Sequence, residues 1–168
     1  MPYINLNQPM IVFDVPYKII NGVIINKYLE SYAEKESQVY ISKFEEEFGP
    51  QAAFSKVLVV PIFDEKSDCL NSVFKNITTE DTLIIPIVNA PEQTNVTGSL
   101  FESLGEKVER TLACLEDLRR SSSFPLLIVD RVTEGRRIPP KEGVGLARKI
   151  GSDIALSLIS QNKIIVTM

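Results

Sequence analysis

The chain has 168 residues, 44% of them hydrophobic and 24% charged, with a net charge of −4. That length and composition allow one ordinary domain with a real core, and they exclude a disordered, low-complexity or generally basic nucleic-acid-binding protein. With two cysteines and no histidine, the chain has too few soft ligands for a zinc site and cannot build a His-dependent triad.

The first residues, "MPYINLNQPMIVFDV", have neither the basic start nor the continuous apolar stretch of a secretory signal. No apolar run approaches the roughly 20 residues of a membrane span. The expectation is a cytoplasmic chain with no membrane span. Short apolar pieces at 10–13 and 23–25 are candidates for an edge strand. The segment 28–49 is a charged helical pattern with Leu29, Tyr32, Tyr40, Phe44 and Phe48 available for packing, and Gly49-Pro50 ends it. We read residues 1–55 as an N-terminal extension packed on the domain formed by residues 56–168.

From residue 56 onward, four apolar runs read as strands: "KVLVVPIF" (56–63), "DTLIIPIV" (81–88), "PLLIVD" (125–130) and "KIIVTM" (163–168). They are apolar on both parities, as strands buried on both faces are. Between them lie helical stripes. Cys69, Leu70, Val73, Phe74 and Ile77 form the first. Phe101, Leu104, Val108, Leu112, Leu115 and Leu118 form the second, and Leu146, Ala147, Ile150, Ile154, Ala155 and Leu158 the third. Cys69 and Cys114 fall on these apolar faces and read as buried thiols. Alternating strands and helices predict an α/β fold, a Rossmann-like layered domain with a mostly parallel sheet.

In open α/β sheets, ligands bind beyond the carboxyl ends of the strands. Those ends carry Pro61, Asp64 and Glu65; then Asn89, Glu92, Gln93 and Asn95; then Asp130 and Arg131. Charge is also uneven. Residues 131–149 hold six basic side chains (Arg131, Arg136, Arg137, Lys141, Arg148, Lys149) and two acidic ones (Glu134, Glu142), a net of +4 on an acidic chain. Such a cluster suits a small anionic ligand, or it is a solvated loop. Within it, Pro139-Pro140 hold the approach extended, and Gly143 and Gly145 let backbone amides come close to a ligand at a helix start. The alternative is that these glycines only let the helix pack tightly on the sheet. The stretch is not a Rossmann dinucleotide loop, because Arg148 stands where the third glycine belongs and a long polar loop precedes it. There is no Gly-Lys-Ser/Thr for a Walker loop.

"VLVVPIFDEKSDCLNSVF", "LIIPIVNAPEQT" and "KEGVGLARKIGSDIALSLISQNKIIVTM" together resemble the N-terminal half of family-two-like glycosyltransferases of the GT-A fold. The resemblance spans about residues 56 to 168. It implies that Pro61, Asp64 and Glu65 border a nucleotide, that Asn89 stands near the base or ribose, and that Lys141 and Arg148 approach the diphosphate of a nucleotide-sugar. It also implies what is absent. In that family the last strand runs into an Asp-x-Asp metal motif, and no such motif occurs in these residues. On this reading the chain is truncated before the motif, carries no catalytic or metal-binding residue and no cofactor, and would use Mg²⁺ or Mn²⁺ only if the motif were supplied. Apolar surface left uncovered predicts a homo-oligomer. Two other readings compete. One is a non-catalytic α/β interaction or structural module. The other is an enzyme or regulator using Asp64, Glu65 and Asp130 as a carboxylate cluster for metal or phosphoryl chemistry.

Overall fold

Strands that are apolar on both parities need a covering layer on each face. A computed structural model describes residues 11–12, 22–77, 81–90, 99–122, 124–139 and 141–164. Its elements are β1 (Ile11–Val12), α1 (Gly22–Ser31), α2 (Ser37–Phe48), β2 (Lys56–Ile62), α3 (Ser67–Ile77), β3 (Thr82–Asn89), α4 (Ser99–Ser121), β4 (Val129–Arg131) and α5 (Gly143–Ser160). The sheet order is β1-β2-β3-β4. β2, β3 and β4 run parallel, and β1 joins the far edge of β2 antiparallel. All eight residues of β3 are buried, as its central place requires.

Alternation along the strands divides the core into two halves. On one face Val57, Val59, Leu83, Ile85, Ile87 and Val129 meet Ala147, Ile150, Ile154 and Leu158 of α5, with Tyr40 and Phe44 of α2 beside them. On the other, Leu58, Ile62, Ile84 and Val88 meet Leu70 and Phe74 of α3 and Val108 and Leu115 of α4. The fold is therefore a three-layer α/β/α arrangement, compatible with the Rossmann-like type. The chain steps from β2 to β3 to β4 with α3 and α4 on one face. It then returns over the other face through α5, as right-handed crossovers demand when the direction reverses.

The return ends beside β2. The Asp81 carbonyl accepts from the N–H groups of both Ser55 and Lys56. The chain bulges there, and the Phe54 N–H turns to the Lys163 carbonyl at 3.0 Å. Phe54 and Ile164 form a parallel bridge. Of the expected fourth run, "KIIVTM", residues 165–168 lie outside the described residues.

Several local expectations are corrected. The piece at 23–25 is helical, in α1, while Ile11–Val12 does form an edge strand. The segment 28–49 is not one helix: α1 ends at Ser31 and α2 begins at Ser37. The third strand pairs only over 129–131, with a single bridge from Leu126 to Ile84 ahead of it. Cys69 and Cys114 are half-buried, not buried. The aromatic residues of α2 do pack. Phe44 is fully buried, and its ring lies 5.1 Å from Phe48 and 6.0 Å from Phe54.

Candidate functional site

The carboxyl ends of the parallel strands meet the start of α5. Ala90, just past β3, donates its N–H to the Arg131 carbonyl and accepts at its own carbonyl from the Ile138 N–H. This ties the long loop after β4 to the end of the central strand. Pro61 is level with Ile87, and Asn89 is level with Arg131. By alternation with Val59, Ile87 and Val129, the positions of Pro61, Asn89 and Arg131 lie on the face that α5 covers. Asn89 is buried and Pro61 half-buried.

Asp64 and Glu65 sit apart from that face. The Asp64 carboxylate lies 3.4 Å from Lys107 on α4, and the Glu65 carbonyl accepts from the Thr111 hydroxyl at 3.3 Å. Partial burial, with Asp64 next to it, raises the Glu65 carboxyl above its usual range. Asp130 serves its own turn. One oxygen accepts from the N–H groups of Val132 and Thr133 at 2.8 and 3.1 Å, and the other from the Thr133 hydroxyl at 2.5 Å. Burial opposes its charge, but these bonds and the nearby Arg136 outweigh burial and hold the carboxyl below its usual range. Asp64, Glu65 and Asp130 do not form a metal-holding group, and no cluster of three such ligands occurs among the described residues. Glu92, Gln93 and Asn95 lie outside the described residues.

The backbone before α5 has an unusual shape. Lys141 has φ +84° and Gly143 φ +38°, while Glu142 between them is right-handed at φ −91°. A lysine in the left-handed region is uncommon. Alternation of this kind can turn successive N–H groups toward one side, although the Glu142 N–H already donates to the Pro139 carbonyl at 3.2 Å. The Glu142 side chain makes no capping hydrogen bond. The helical ladder begins only at Leu146, whose N–H reaches the Glu142 carbonyl at 3.1 Å. The N–H groups of Gly143, Val144 and Gly145 precede it.

The two glycines do not serve packing. A Cβ on Gly143 or Gly145 would meet nothing within 4 Å. The close contact is at Gly151, where a Cβ would lie 2.4 Å from Val59 Cγ1 and 2.6 Å from Ile87 Cδ1. The tight-packing role expected as an alternative for Gly143 and Gly145 thus belongs to Gly151. Gly143 has its positive φ as a reason to be glycine. Gly145 has neither a strained φ nor a close neighbour. Lys141 is exposed beside it, and Arg148 is half-buried one turn into the helix.

Much of the basic cluster has internal partners, which charge reading alone did not reveal. Residues 28–49 hold six acidic and two basic side chains, a net of −4 that mirrors the +4 of residues 131–149. Lys149 Nζ donates to Glu34 at 2.8 Å, to Asp153 at 2.9 Å and to the Tyr32 carbonyl at 2.8 Å. Arg131 meets Glu36, and beyond the cluster Arg119 meets Glu47 and Lys163 meets Glu45. Asp153 is the centre of the first group. It is buried, and it also accepts from the Tyr28 hydroxyl and the Glu34 N–H, each at 2.9 Å. Partial burial works against the Lys149 charge, but the two carboxylates prevail and its pKa is pushed up to about 12.

No helix among the described residues is long and apolar enough to cross a membrane. The geometry defines an α/β layered domain. No protein-family model, curated protein or solved structure matches the chain.

Proposed function

We propose that this chain is a nucleotide-sugar-binding domain of the glycosyltransferase type, taking the ligand's diphosphate at the start of α5. The observation that carries the reading is the alternating backbone of Lys141, Glu142 and Gly143, followed by Gly145 with open space where its Cβ would be. Backbone N–H groups, the helix dipole and the charges of Lys141 and Arg148 would together hold a diphosphate. Pro61 and Asn89, on the face that α5 covers, would border the nucleoside. Asp64 and Glu65 would do so only from the far side of the β2 end.

These 168 residues contain no Asp-x-Asp. A leaving diphosphate would lack metal stabilisation here. We therefore expect binding without sugar transfer, and transfer by the purified chain would refute that part. Homo-oligomerisation stays part of the proposal, with light scattering as its check.

A structural role competes, favoured by the pairing of Arg131 and Lys149 with Glu36 and Glu34 in the link between α1 and α2. Calorimetric titration with UDP-, GDP- and ADP-sugars, with and without Mn²⁺, separates the two. We expect saturable binding to one of them, weakened about ten-fold by Lys141→Ala and by Arg148→Ala, the worth of one charge-assisted contact. No binding at millimolar ligand would leave the structural reading.

A further inference from the structure

Arg131 closes β4, and it is only 8% exposed. An arginine buried to that degree normally has its donors satisfied, often through a side-on fork that grips both oxygens of a carboxylate. Arg131 does otherwise. Its Nη1 alone reaches both oxygens of Glu36, at 2.5 and 2.6 Å. Its Nε is buried and has no hydrogen-bond partner. The pair is also lopsided: the Arg131 side chain is 10% exposed, that of Glu36 45%. Glu36 stands at the N-cap of α2, and its side chain makes no capping hydrogen bond there. The buried member is anchored in the sheet, while the anion that answers it comes from an open surface position.

From these observations we infer that Arg131 is a further ligand of the diphosphate, and that Glu36 holds its place when no ligand is bound. This rests on the function proposed above. Arg131 stands level with Asn89 on the face that α5 covers, and its carbonyl is bonded to Ala90, which also binds the loop leading to Lys141. An incoming phosphate oxygen displaces the exposed carboxylate, takes its bonds to Nη1 and supplies the acceptor that Nε lacks. The internal carboxylate then acts as a competitor, scaling the apparent affinity down to the fraction of chains in which it is disengaged.

The test follows the Nε–H signals of a ¹⁵N-labelled chain as UDP is added, with the Arg131 signal assigned by its loss in Arg131→Lys. We expect that signal to shift along the same saturation curve as the Gly143 and Gly145 amides. We also expect Glu36→Gln to bind UDP about ten-fold more tightly. If Glu36→Gln does not fold, the titration of the unmodified chain decides alone. Movement of the glycine amides with a stationary Arg131 signal overturns the inference and leaves the proposed function standing. If neither moves at millimolar UDP, the proposed function fails and this inference fails with it.

Discussion

Gly151→Ala is expected to destabilise the chain, although alanine is the better helix former. In an exposed helix interior the change would gain about 0.5–1 kcal/mol. Here the new Cβ would lie 2.4 Å from Val59 Cγ1 and 2.6 Å from Ile87 Cδ1. The end of Ile87 can swing aside. Val59 cannot, because its branched side chain is stiff at χ1 and sits in a buried strand between β1 and β3. Overpacking of this kind costs about 1–3 kcal/mol, so the net sign is a loss. Gly151→Leu asks for far more space and should leave no folded chain. Urea unfolding of the alanine variant measures the effect, and a midpoint above that of the parent would show that α5 does not lie this close to the sheet.

Asp153→Ala should cost about 1–3 kcal/mol, the cost of leaving part-buried donors without their acceptor, while Lys149, 38% exposed, keeps Glu34. The substitution strips Lys149, Tyr28 and the Glu34 N–H of their common acceptor. Against a total stability of about 5–15 kcal/mol, that is a large fraction. The same group sets a pH dependence. Lys149 is raised from 10.5 to about 12, and the Tyr28 hydroxyl is raised above 10.0 by burial and by its bond to Asp153. A group whose folded pKa is raised lends stability below its unfolded value and loses it as pH climbs through the folded one. The contribution is thus complete below pH 10 and fades toward pH 12. Urea midpoints taken at about pH 9 and about pH 11 should fall further in the parent than in Asp153→Ala. Equal falls would mean that Asp153 does not couple the two groups.

The layered α/β plan was legible because the strand runs are apolar on both parities and only a two-sided burial satisfies them. Leu83, Ile84, Ile85, Ile87 and Val88 are all fully buried. The single helix expected over 28–49 was not what formed, since nothing in the apolar spacing marks the break between Ser31 and Ser37. The charge pairs were illegible for a different reason. Glu36 and Arg131 are 95 residues apart, and Glu34 and Lys149 are 115 apart, so no local pattern links them. Asp153 did leave a trace: a carboxylate adjoining the apolar stripe of α5, four residues after Lys149. The glycines were only half readable. Sequence distinguishes a glycine at a helix start from one in its middle, but not which of them touches the sheet.

Gly145 gives the most direct test of the proposed site, because one substitution separates its two possible reasons for being glycine. Nothing surrounds its missing Cβ, and its backbone is unstrained. Gly145→Ala should therefore raise stability by about 0.5–1 kcal/mol, as in any exposed helical turn. If backbone amides there receive a diphosphate, the same methyl group stands in the ligand's way. The measurement is the unfolding midpoint and the UDP-sugar affinity of Gly145→Ala beside the parent. A more stable chain that binds about ten-fold more weakly is expected. A more stable chain with undiminished affinity would contradict the proposed site.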